Sequence, residues 1–197
     1  MAKSSRRFDG YFDSYTLVGQ IGSGASGTVF EVGNSEGKHV ALKLLTSAAQ
    51  SKLKRFKNEI NFCLRPVSTQ IVQVLDFGKE DQSLFYVMPL YSGSLKKRIA
   101  SGINPGEVLR LFNRMLDGVE AAHLHGVVHR DLKPANVLCD GPDNLVLADF
   151  GIAHFQEFDL LTLVETDSQE RLGNYQYSAP EQRIPGALVD QRLISLH

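Results

Sequence analysis

Cysteine is nearly missing from this chain. The two that occur, Cys63 and Cys139, lack CxxC spacing and sit in apolar surroundings, Asn-Phe-Cys-Leu and Val-Leu-Cys-Asp. No disulfide framework follows. Buried free thiols in a reducing cytosol are the expectation. An excess of one charge is missing too: 21 Lys and Arg stand against 22 Asp and Glu, a net charge of -1. That balance argues against nucleic acid or an anionic membrane as the main partner and leaves any positive patch local. Long apolar runs are also lacking. Residues 1–15 carry Lys3, Arg6 and Arg7 with no apolar stretch behind them, unlike a signal peptide. The run at 145–153 is short and broken by Asp149 and Gly151. Neither repeats nor low-complexity linkers occur. A soluble, cytoplasmic protein with no membrane partner is expected.

What remains is ordinary globular composition, 43% hydrophobic and 22% charged over 197 residues, enough for one good-sized domain or two small lobes. Residues 15–45 read as three strands, Tyr15-Thr16-Leu17-Val18, Gly27-Thr28-Val29-Phe30-Glu31-Val32 and His39-Val40-Ala41-Leu42-Lys43-Leu44-Leu45, in an antiparallel meander. From residue 51 to 64 the period changes: Leu53, Phe56, Ile60 and Leu64 mark one face of a helix. Residues 71–75 and 84–88 read as two more strands joined through a turn at 78–82. After Gly93 the pattern is helical. Residues 94–100 form a short basic helix, and Asn104-Pro105 with Glu107 opens a longer one. Its apolar face runs through Val108, Leu111, Phe112, Met115, Val119 and Ala122, and Gly126 closes it. Short strands at 136–139 and 145–148 follow. A β-rich first part thus gives way to an α-rich second part near residues 91–93.

Gly22-Ser23-Gly24-Ala25-Ser26-Gly27-Thr28-Val29 is a G-x-G-x-x-G-x-V pattern. Its glycines let backbone N–H groups approach phosphate oxygens closely. A dinucleotide-binding turn needs a helix opening at the last glycine, and Thr28-Val29-Phe30 opens a strand instead. A Walker-type loop needs Gly-Lys-Ser/Thr, which is absent. A plain Gly-rich hairpin and a phosphate lid between strands both stay open on this motif alone. Lys43 follows on the third strand, and Glu59, on the next helix, is a candidate anion to hold it. Each read alone is an ordinary surface residue.

The strongest signal is His129-Arg130-Asp131-Leu132-Lys133-Pro134-Ala135-Asn136. Pro134 forbids a helix there, so this is a loop. It brings together a carboxylate that can accept a hydroxyl proton, an ammonium that can neutralise phosphate, and an amide oxygen that can bind Mg²⁺. Asp149-Phe150-Gly151 adds a hard oxygen ligand after a strand, and Ala179-Pro180-Glu181 comes later.

In their order and spacing these motifs resemble the eukaryotic-type serine/threonine protein kinase family from Tyr15 to about Glu181. The resemblance implies an α+β, protein-kinase-like two-lobe fold: an N-terminal extension at 1–14, a β-rich N-lobe with one helix at 15–91, and an incomplete α-rich C-lobe at 92–197. It implies ATP and Mg²⁺ as cofactors and a protein substrate with a Ser or Thr hydroxyl. Gly22, Ser23, Gly24, Ala25, Ser26 and Gly27 would cover the phosphates. Lys43 would bind the α- and β-phosphates and pair with Glu59. Asp131 would be the catalytic base and Lys133 would balance charge on the transferred group. Asn136 and Asp149 would hold the metal. Lys133 resembles the serine/threonine class. Ile21, Val29, Ala41 and Leu138 would wall the adenine pocket, Met88 would gate its back, and Pro89 and Tyr91 would lie on the hinge. Pro89 stands where the family often has Glu, whose carbonyl rather than N–H is used; the donor N–H would come from Tyr91. His129 would support packing rather than proton transfer.

Arg130 implies an activation segment awaiting negative charge, with Thr162, Thr166 and Ser168 as candidate phosphosites. Asn174 stands where the family commonly has Thr. Beyond Val189-Asp190-Gln191-Arg192 the family reads something like Ala-Asp-Ile-Phe-Ala-Leu-Gly and continues through further helices, whereas this chain reads Leu193-Ile194-Ser195-Leu196-His197. Loss of the first G from one chosen coding of that family sequence, GCT GAT ATC TTT GCA TTA GGC, yields Leu-Ile-Ser-Leu-His-stop, so a single-nucleotide deletion is one route to the tail. The expectation is a truncated kinase, uncovered at Leu111 and Met115, with poor stability and weak activity. The alternative is a non-catalytic ATP-binding or interaction module.

Overall fold

Strand alternation explains most of the first half of the chain. The structure, a computed structural model, describes residues 6–24, 26–46 and 49–150 and the backbone of 154–155, in two units within Met1–Ser92 and Gly93–His197. The first unit holds β1 (Arg7–Asp9), β2 (Ser14–Gly24), β3 (Gly27–Gly33), β4 (His39–Leu44), helix α1 (Gln50–Cys63), β5 (Asp76–Glu80) and β6 (Ser83–Pro89). Its six strands form one antiparallel sheet in the order β1-β2-β3-β4-β6-β5. Successive side chains of a strand point to opposite faces. In β4, Val40, Leu42 and Leu44 therefore join Phe8, Tyr15, Phe30, Val32, Phe85 and Val87 in one buried apolar cluster, while Ala41 and Lys43 face the other way.

Two expectations change here. Arg7–Asp9, read as part of an N-terminal extension, pairs with β2, and Phe8 is buried in the apolar cluster. The edge strands then meet: a bridge links Gly10 to Gly78, and Tyr11 N–H donates to Phe77 O at 2.9 Å. The fifth strand is also displaced. Residues 71–75 run without strand pairing, apart from a bridge at Ile71, and the strand is Asp76–Glu80. Ile71, Val72 and Val74 are buried all the same. The apolar run signalled burial, and the sheet took the polar segment after it, whose Gly78 leaves room for the Phe85 ring and Asp9 O.

In the second unit, β7 (Gly93–Ser94), β9 (Val137–Asp140) and β10 (Asn144–Leu147) form a sheet in the order β10-β9-β7, and β8 (Val127–Val128) pairs with β11 (His154–Phe155). Helix α2 (Leu95–Ala100) is capped by Ser94. Helix α3 (Pro105–Leu124) starts as its sequence directs: Asn104 Oδ1 accepts from Gly106 N–H at 3.0 Å, Pro105 opens the first turn and Glu107 faces the helix dipole. Gly126, at φ 71°, ends it in the left-handed region. The helix packs on β8 and β10. Leu111, expected to lack cover, is only 4% exposed; the apolar side chains left open on α3 are Val108, Leu109 and Leu124. Both cysteines are buried free thiols, and burial pushes their pKa values up.

Candidate functional site

The first group of site residues occupies the sheet face opposite the apolar cluster. Register places Val29 opposite Lys43 between β3 and β4, and Ala41 opposite Met88 and Lys43 opposite Tyr86 between β4 and β6. Directly opposed residues share a face, so Val29, Ala41, Lys43, Tyr86 and Met88 lie on the same side. Lys43 and Glu59 are buried, at 4% and 0% exposure. An isolated buried charge is costly and persists only when paired. Here Lys43 Nζ donates to Glu59 Oε1 at 3.0 Å and to Oε2 at 3.3 Å. Tyr86 Oη donates to the same Oε1 at 2.9 Å. The ammonium lies 5.9 Å from the Phe56 ring centroid and 5.5 Å from that of Tyr86, within cation–π range.

The glycine loop is a hairpin between β2 and β3, with Gly24 opposite Gly27 as its last pair. Its glycines differ. Gly27 has φ 140°, and a Cβ there would collide with the Leu44 carbonyl oxygen, so the fold itself demands glycine. A Cβ on Gly24 would meet nothing within 4 Å, and one on Gly22 only Val29 Cβ at 4.0 Å. The protein leaves open space above those two. Among the expected adenine-site residues, Ile21 is 47% exposed and Val29 partly buried, whereas Ala41 and Met88 are buried. Pro89 ends β6, and both it and Tyr91 are partly buried. Leu138, in the second unit, is a partly buried residue of β9.

The second group is built on the loop between β8 and β9. Arg130 and Asp149 have φ of 62° and 66°, left-handed values uncommon for residues with a Cβ, at a cost of about 1–2 kcal/mol each. Such strain gathers at functional sites. His129 holds the loop to the end of β10. Its Nε2 lies 3.0 Å from Ala148 O, and its Nδ1 lies 3.3 Å from Asp131 N–H. A carbonyl only accepts and an amide only donates, so Nε2 carries the proton, Nδ1 is bare and the ring is neutral. Burial pushes the His129 pKa down, in the same direction. Its ring lies 4.6 Å from that of Phe150, which is fully buried.

That loop fixes Asp131. Lys133 Nζ donates to Asp131 Oδ2 at 2.6 Å. Asn136 Nδ2 donates to Oδ2 and to the Asp131 backbone oxygen, both at 2.9 Å. A short 3-10 turn, Pro134–Asn136, places the amide, and Ala148 N–H donates back to Asn136 O at 2.9 Å. Asp131 Oδ1 is buried and has no hydrogen-bond partner among the described residues. One carboxylate oxygen is thus clamped while the other keeps its lone pairs. The Asn136 amide turns its nitrogen to Asp131, which leaves its oxygen for a cation. That oxygen and the Asp149 carboxylate are hard donors, the type Mg²⁺ takes alongside phosphate oxygens and water.

Ala25, Gly151, Thr162, Thr166, Ser168, Asn174, the Ala179-Pro180-Glu181 motif and the tail from Val189 lie outside the described residues. Sequence reasoning missed Tyr86. The period of two held the signal, because a residue two before Met88 on one strand shares its face.

A protein kinase domain model matches residues 15–185 of the chain. The dual specificity protein kinase TTK of Mus musculus is 38% identical over 176 residues, covering 85% of this chain and 20% of that protein. The serine/threonine-protein kinase PknH of Mycobacterium bovis is 31% identical over 183 residues, covering 89% and 30%. The serine/threonine-protein kinase pkn2 of Myxococcus xanthus is 34% identical over 202 aligned positions, covering 98% and 24%. The chain thus spans 20–30% of the length of these relatives.

Proposed function

This chain belongs to the protein kinase domain family, and on that premise we propose that it transfers the γ-phosphoryl group of ATP to a serine or threonine hydroxyl of a protein. The observation that carries this reading is the asymmetry of Asp131: Oδ2 is held by Lys133 and Asn136, and Oδ1 is unpartnered among the described residues. A carboxylate so oriented can take the proton of an incoming hydroxyl as its oxygen attacks phosphorus. Lys133 has three donors, so it can hold Oδ2 and also face charge on the transferred group. Lys43, fixed by Glu59, is the cation for the α- and β-phosphates. The open space over Gly22 and Gly24 suits close approach of backbone N–H groups to phosphate oxygens. Asn136 and Asp149 would hold Mg²⁺, which supplies charge neutralisation on the phosphates when bound. Catalysis of this kind rests on positioning and electrostatics, which rigidly held groups provide.

The partners proposed are ATP and a protein bearing Ser or Thr. Among the described residues no helix is long and apolar enough to cross a membrane, and we assign the chain to the cytoplasm, where ATP and reducing conditions coincide. The test is phosphoryl transfer to a generic protein substrate, read by phosphoamino-acid analysis and compared with Asp131→Ala. Phosphoserine or phosphothreonine above that control supports the reading. ATP binding with no transfer above it would assign the chain to a non-catalytic nucleotide-binding module instead.

A further inference from the structure

Tyr86 has no role in the scheme above, yet it touches two residues of α1, one turn apart. Its ring lies 5.3 Å from that of Phe56, and its hydroxyl donates to Glu59 Oε1 at 2.9 Å. It is 1% exposed. An ionised carboxylate only accepts hydrogen bonds, so the hydroxyl is the donor. Glu59 therefore receives Tyr86 Oη and Lys43 Nζ on the same oxygen, with Lys43 reaching the second as well.

The ends of α1 make this contact important. Its N-cap is Ala49, with no side-chain cap bond, and there is no acidic residue in its first turn and no basic residue in its last. Among the described residues a side-chain N-cap and favourable end charges are thus lacking, while backbone bonds from Leu64 N–H to Ile60 O and from Val74 N–H to Cys63 O fasten the C-terminal end. Side-chain contacts to the sheet then help set where the rest of α1 sits, and with it where Glu59 holds Lys43. Tyr86 supplies two of them from a single position on β6, directly opposite Lys43.

We propose that Tyr86 is a positioning residue, its hydroxyl holding Glu59 so that Glu59 holds the Lys43 ammonium for phosphate. This rests on the phosphoryl-transfer reading for its consequence in activity, but the Tyr86–Glu59–Lys43 linkage can be tested without it.

The variant is Tyr86→Phe, which keeps the ring on Phe56 and removes only the hydroxyl. Two readouts are taken on the full chain. The first is the rate at which an amine-reactive reagent labels Lys43, resolved by mass spectrometry. The second is kcat and KM for ATP with Mg²⁺. Loss of a hydrogen bond to a charged group predicts roughly tenfold faster labelling of Lys43 and a roughly tenfold lower kcat/KM for ATP. Thermal melting should fall by only a few degrees, as loss of one buried hydrogen bond implies, with the fold intact. In a Glu59→Leu background, which offers no acceptor to the Tyr86 hydroxyl, Tyr86→Phe should add little to the labelling rate, because the linkage runs through the Glu59 side chain. An equal, additive effect in that background overturns the proposal, as does unchanged labelling in Tyr86→Phe. Should the wild-type chain show no transfer above Asp131→Ala, the phosphoryl-transfer reading fails by itself, and the labelling cycle still decides whether Tyr86 positions Lys43.

Discussion

Lys43 and Glu59 form a buried pair whose removal should separate stability from function. Their side chains are 5% and 1% exposed, so solvent screens them little. Lys43→Met fills most of the lysine's volume but leaves Glu59 ionised in a buried site. Breaking one side of such a pair costs roughly 3–5 kcal/mol, because the remaining charge is uncompensated. For a chain of this length, that is a fall in Tm of roughly 6–20 °C. Adding Glu59→Gln removes the stranded charge while still accepting from Tyr86, so the double variant should regain most of the lost Tm. Nucleotide binding should not return, since the phosphate-binding cation is gone from both proteins. Differential scanning fluorimetry with and without ATP and Mg²⁺ reads both quantities: ligand-dependent stabilisation in wild type, none in either variant. Lys43→Met melting like wild type would show that the pair is not buried in solution. A double variant no more stable than the single would show that the cost was lost packing rather than stranded charge.

Three further outcomes follow from the same structure. Asp76, 1% exposed, accepts from the backbone N–H groups of Tyr11, Phe12, Asp13 and Phe77 and from Tyr15 Oη. Asp76→Ala should destabilise the chain by about 2–4 kcal/mol in urea melts, through loss of the buried Tyr15 bond and of the part-buried backbone bonds to one carboxylate; a loss below 0.5 kcal/mol on the scale of a typical surface change would contradict that packing. Gly27→Ala, at φ 140° against the Leu44 carbonyl, should lower Tm, whereas Gly24→Ala, with open space, should leave Tm unchanged and raise KM for ATP; matched Tm changes would refute the distinction. The pKa of His129 is held below its ordinary 6.5 by burial. The unfolded chain therefore takes up a proton first as pH falls, so the associated stability is complete above about pH 6.5 and lost as pH drops toward the depressed folded value. Denaturant melts between pH 7.5 and 5 should show that loss, and a His129→Gln variant should show less of it.

Legibility in the sequence followed how local each cause is. The caps and proline of α3 and the alternation of β3 and β4 are short-range signals, and each element formed where its residues directed; Pro134, read as forbidding a helix, instead opens a single 3-10 turn within the loop, where its missing N–H costs nothing. Phe8 carried none: one aromatic between Arg7 and Asp9 becomes a core residue only because the edge strands meet near Gly10 and Gly78. The shift from residues 71–75 to Asp76–Glu80 has the same origin, since burial of Ile71 and Val72 does not require strand pairing and Gly78 fits only against Phe85. Asp131, Lys133 and Asn136 were nameable as a group because they crowd one loop. The asymmetry between the two Asp131 oxygens was not, because it depends on which oxygen Lys133 and Asn136 reach. Tyr86 lay hidden for a related reason: on a strand a tyrosine reads as core, and only the position of α1 over it turns the hydroxyl toward Glu59.

The most direct measurement is transfer of labelled γ-phosphate from ATP to a generic protein substrate by the wild-type chain and by Asp131→Ala. Divalent-metal-dependent incorporation into serine or threonine by the wild type, even at a low rate, reduced to background in the variant, is the expected result. Equal incorporation by the two proteins, or none by either, would contradict the assignment of Asp131 Oδ1 as the proton acceptor of a working phosphotransfer site.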